Sequence, residues 1–184
     1  MNRRSHRILS SSAVAIAMGS LTVLPASASP ATAARATFCG DVSSLTKVPV
    51  LALPSSTDFF VLLASLDPLT KDQNTLRRDV SILNTMSSLA PTATLKSWYT
   101  SARTSASNEI GELQTVESMA SMLLNGDYSN DTIMTVASAA SAAASHAAIA
   151  NTYLTVAAPD ATYACSHWPG LTPKPKPKPK PKHH

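Results

Sequence analysis

The chain has 184 residues, with 15 Lys and Arg against 11 Asp and Glu, only five glycines and two cysteines. Its net charge of +4 is unevenly placed. Three arginines lie near the start and five lysines near the end, while the stretch between carries seven basic side chains and all eleven acids, a net of −4. A mildly acidic body with a cationic extension excludes a basic nucleic-acid-binding domain, and no sequence-specific nucleic-acid partner is expected.

Residues 1–28 read as an export signal. Arg3, Arg4 and Arg7 form a basic n-region, an uncharged apolar run from Ile8 to Leu24 follows, and Pro25-Ala26-Ser27-Ala28 supplies small residues in an A-x-A cleavage pattern. Cleavage there starts the mature chain near Ser29, with Ala34-Arg35-Ala36 as a second possible cut. The competing reading is an uncleaved membrane anchor. Export predicts a secreted or extracellular protein of roughly 156 residues, enough for one domain with a modest core.

Residues 29–37 are rich in Ala and Thr, carry a single charge, and are expected to be a disordered linker. Residues 38–170 form the expected domain. Its first part, Phe38 to Pro54, contains Gly40, Pro49 and Pro54 among apolar residues and reads as an extended segment crossing a helical body. No partner run with matching alternation exists to pair with it as a sheet.

Helices follow. Ser55, Ser56 or Thr57 can cap a short one through Leu66, stopped at Asp67-Pro68 because the residue before proline is pushed from the α region. Thr70-Lys71-Asp72-Gln73 has capping-box spacing and opens a second, with Leu76, Val80, Leu83 and Met86 or Ser87 on one side, ending near Ala90-Pro91. Thr92 or Thr94 begins a third, on which Leu95, Tyr99, Ala102, Ala106, Ile110, Leu113, Val116, Ala120 and Leu123 keep helical spacing to Asn125-Gly126. A fourth starts near Ser129–Asp131 and runs through Ile133, Val136, Ala140, Ala144, Ala147, Asn151 and Leu154 to Pro159. This last stretch has no Asp, Glu, Lys or Arg from Thr132 to Pro159, which raises a membrane-spanning reading. Its Ala and Ser content, with His146 and Asn151 inside it, favours a buried bundle helix instead. Short connections make neighbours antiparallel, so the expected fold is all-α: an up-down bundle of about four helices, one of them short.

Cys39 and Cys165 flank the helical stretch. In an exported chain an even count favours a disulfide over two free thiols or cross-links between chains. The bond would close the fold terminus to terminus.

Residues 171–184 form a Pro/Lys-rich tail, expected to be disordered apart from polyproline II character. At about 3.1 Å per residue, its Pro-Lys repeat makes a rod roughly 30 Å long. Lys174, Lys176, Lys178, Lys180 and Lys182 point around this rod and suit a polyanion, such as an anionic wall polymer or membrane surface. A solubilising spacer explains them equally well. No L-P-x-T-G wall-anchoring motif is present.

Enzyme templates fail in turn. The chain lacks G-x-S-x-G, H-E-x-x-H, a phosphate loop and the dinucleotide glycine fingerprint. No histidine has a glutamate three residues before it, as a di-iron bundle requires. Glu109, Glu112 and Glu117 share a helix side and read as its solvated face. His146 with Tyr153 is a weak haem pair, Tyr163 with His167 another, and Met119-x-x-Met122 with Met86 and Met134 a weak Cu(I) set. Trp98, Tyr99 and Trp168 could form a carbohydrate or lipid contact, with core anchoring favoured for at least one tryptophan. Accordingly no catalytic residue, metal or cofactor is expected. The leading expectation is an exported non-enzymatic binding protein, loosely held to an anionic cell surface by its tail. The alternative is a secreted carrier of haem, metal or lipid with a site between helices.

Overall fold

The computed structural model describes residues 29–50 and 66–171. Four helices are packed in sequence order: α1 (Pro30–Ser44), α2 (Leu66–Leu89), α3 (Ala93–Leu124) and α4 (Asn130–Ser166). The expected export signal, the short helix over 55–66 and the lysine tail lie outside the described residues, apart from Leu66, which opens α2.

Local chemistry sets most helix ends. Ser29, Thr92 and Ser129 cap α1, α3 and α4, their hydroxyls accepting from the backbone N–H of Thr32, Leu95 and Thr132. Gly126 takes a φ of +93° just past α3, where a side chain would be strained, and Asp127 N–H donates back to the Met122 carbonyl at 3.0 Å. The Asp127 carboxylate then accepts from Ser129 N–H and from the Thr132 hydroxyl, which holds its pKa below the usual range.

α3 is the central helix. It packs along both α2 and α4, most extensively on α4. Among its buried positions, Leu95, Tyr99, Ala102, Ala106, Glu109, Leu113, Val116, Ala120 and Leu123 alternate in steps of four and three, with Ser105 buried beside them. α4 answers with Val136, Ala139, Ala143, Ala147, Ala150, Leu154, Ala157, Ala161 and Ala164. Alanine along this seam lets the two backbones approach closely, and the 3–4 spacing keeps the seam facing its partner along most of each helix. An 18-residue window of α4 has mean hydropathy 1.4, enough by length and composition to cross a membrane. The described fold instead lays its alanine side on α3.

α1 packs on α2 and α4, closing one end of the bundle. Phe38 is fully buried there, edge-on to Tyr99 at 5.9 Å and against Trp168 at 5.4 Å. The Cys39–Cys165 disulfide links α1 to α4. Beyond α1, Asn151 clasps the chain: its Oδ1 accepts from Val48 N–H at 2.9 Å and its Nδ2 donates to Val48 O at 3.1 Å.

Three expectations change. The linker expected over 29–37 and the start of the extended segment are one helix, because Ser29 caps it, Pro30 suits a first turn, and Phe38 and Cys39 tie it down. α2 begins at Leu66 and passes through Asp67-Pro68, since proline in a first turn removes no helical hydrogen bond. α4 continues past Pro159 to Ser166. Pro159 has no N–H to donate to the carbonyl of Thr155, an exposed residue that water can serve, while Ala157, Ala161 and Ala164 keep the seam buried on both sides.

Candidate functional site

A groove of about 500 Å³ runs between α2 and α3, open to solvent. α2 contributes Arg77, Val80, Ser81 and Asn84, at i, i+3, i+4 and i+7, and α3 contributes Arg103, Thr104, Ser107 and Asn108. The short connection of residues 90–92 makes the helices antiparallel and fixes their register. Arg103 Nη1 donates to Asn84 Oδ1 at 2.8 Å, and Ser87 and Thr100 share a hydroxyl contact of 2.7 Å. That register places Arg103 beside Asn84 and sends Arg77, two turns earlier on α2, to the other end of the groove. The lining holds two guanidinium groups, two amides and three hydroxyls, with no carboxylate, thiol or imidazole. Chemically it offers donors and positive charge to an anion, and no anionic or imidazole ligand to a metal.

Beneath the outer faces of α3, Glu109 is 0% exposed and neither carboxylate oxygen has a hydrogen-bond partner. Burial pushes its pKa up to about 8. The sequence places Glu109 on a solvated face with Ile110 inside; the structure buries Glu109 fully and leaves Ile110 half-buried against the core. The reason is the seam itself, where steps of three and four from Ala106 to Leu113 pass through 109. Glu117 is half-buried and accepts from Gln73 Nε2 at 3.3 Å. Asp79 on α2 is also buried, and desolvation raises its pKa against the lowering effect of Arg78.

Cys39 and Cys165 edge a smaller cleft of about 230 Å³ with Thr32, Arg35 and Ala36, where Arg35 Nε donates to Cys165 O at 2.8 Å. His146 and Tyr153 are both half-buried on α4. Tyr163 and His167 stack at 4.2 Å on the exposed end of that helix. Met86 lies in the core while Met122 and Met134 are exposed, so the methionines do not converge on an enclosed site. Trp168 is buried against Phe38 and Trp98 is half-buried at the core edge, while burial lifts the Tyr99 phenol pKa to about 12. Among the described residues no group of three or more His, Cys, Asp or Glu could hold a metal ion. Lys174, Lys176, Lys178, Lys180 and Lys182 lie outside the described residues. Comparison with protein-family models, curated proteins and solved structures finds no match to this chain.

Proposed function

We propose that this chain is an exported, non-enzymatic helical binding protein, held loosely at an anionic cell surface by its Pro-Lys tail. The observation that carries the reading is the division of charge, −4 on the body against +5 on residues 173–184. A mildly acidic body gains no net long-range attraction to an anionic surface, so that attraction falls to the tail, and attraction of this kind weakens as salt rises. The Cys39–Cys165 bond supports export, because such bonds persist in oxidising compartments. Of the two possible cleavage points, the one after Ala28 is favoured. It leaves Ser29 to cap α1, whereas a cut near Ala34-Arg35-Ala36 falls inside that helix.

Deleting Pro173–His184 tests the reading. Surface-bound protein should be released at moderate salt, and retention equal to that of the full chain ends the proposal. Recovery of the natively exported protein with colour, metal or lipid bound would replace it with the carrier reading.

A further inference from the structure

We propose that the groove between α2 and α3 binds a hydroxyl-rich polyanion, an extended chain whose anionic groups seat on Arg77 and Arg103 while its hydroxyls meet Ser81, Ser107 and Asn108. The proposal rests on the reading that the protein works at an anionic surface, and it supplies the body's own contact with that surface.

Four observations select this ligand class. First, two of the seven basic residues of an acidic body line one groove, and no carboxylate lines it with them. Second, Arg103 is held in place by Asn84 at 2.8 Å, so less rotamer freedom is lost when its fork meets an oxyanion. Third, Arg77 lies two turns from Asn84 along α2, a rise of about 10 Å. Positions spaced in this way along one groove offer successive seats to a chain with repeated charges. Fourth, the walls between them are hydroxyls and amides, both able to donate and accept, and Val80 is the single aliphatic residue of the lining. No aromatic ring is present to stack a base, which separates this groove from single-stranded nucleic-acid sites.

Calorimetric titration of the full exported chain with synthetic oligo(glycerol phosphate) and with oligogalacturonate tests the assignment, polyphosphate serving as a polyanion without hydroxyls. The tighter of the first two identifies phosphate or carboxylate as the charged group. Arg77→Ala and Arg103→Ala should each weaken binding about tenfold with unchanged thermal unfolding, the size expected for a lost charge-assisted contact. Replacing Ser107 and Asn108 by alanine should weaken binding of the hydroxylated chains several-fold and leave polyphosphate unaffected. A variant with serine at all five tail lysines should keep an affinity that still responds to Arg77→Ala. Wild-type affinity in the groove variants, with all binding lost in the tail variant, overturns the groove assignment and leaves the tail reading standing. Loss in the groove variants together with full surface retention of the tail variant does the reverse.

Discussion

At the residue scale, Glu109 puts a carboxyl where the α3 seam ordinarily holds an aliphatic side chain, with both oxygens dry. Its pKa is about 8 in the fold against 4.5 in an unfolded chain. Between those values the folded state keeps a proton that the unfolded state releases, so stability should fall as pH rises from about 4.5 to 8 and level off above. Glu109→Gln should remove most of that slope and unfold at higher temperature than wild type at pH 8. Parallel curves of melting temperature against pH for the two proteins would show that Glu109 is ionised and solvated instead. Asn151 is the contrasting case, a polar group fully used. Asn151→Ala strips both hydrogen bonds from Val48 and should cost about 1–3 kcal/mol in urea unfolding; a change under about 0.5 kcal/mol would mean the clasp is not formed.

At the element scale, the α3–α4 seam depends on alanine being small. Ala150 is fully buried in it, so Ala150→Leu should force the helices apart at a cost of about 1–3 kcal/mol despite the added apolar surface. An equally stable or more stable variant would contradict the close approach. The same alanines limit what pattern reading can resolve. On α3, large side chains such as Leu95, Tyr99 and Leu113 mark the buried side without ambiguity. On α4 the sequence suggests Ala140 and Ala144, where the fold buries Ala139 and Ala143, because a run of equal small residues carries no phase. Glu109 was hidden for the opposite reason, since polarity assigned it to water and only the 3–4 seam assigned it inside. The groove lay beyond reach of either rule. Arg77 and Arg103 are 26 positions apart, and only the α2–α3 register brings their helices' polar faces together.

At the scale of the whole molecule, the Cys39–Cys165 bond spans 126 positions and joins the shortest to the longest of the four described helices. Cross-linking a loop of that length stabilises by about 4–5 kcal/mol in the chain-entropy account. Replacing both cysteines by serine should lower stability by that order and expose Phe38 and Trp168, read as a red shift of tryptophan emission. Unchanged stability and emission would show that helix packing alone holds α1. The all-α class, the helix order and the disulfide were legible because they follow from spacing, capping and cysteine parity. The helix over Pro30–Ser44 was not, since its composition resembles a flexible linker and its order comes from Phe38, Cys39 and the bodies they meet.

The proposed export is the premise of the surface role, and intact-mass analysis of natively produced protein, alkylated before any reduction, is its sharpest test. The expected product is an extracellular species that begins at Ser29, lighter by two hydrogens than its reduced form and carrying no alkyl group. A cell-internal species that retains Met1–Ala28 and takes up two alkyl groups would contradict it.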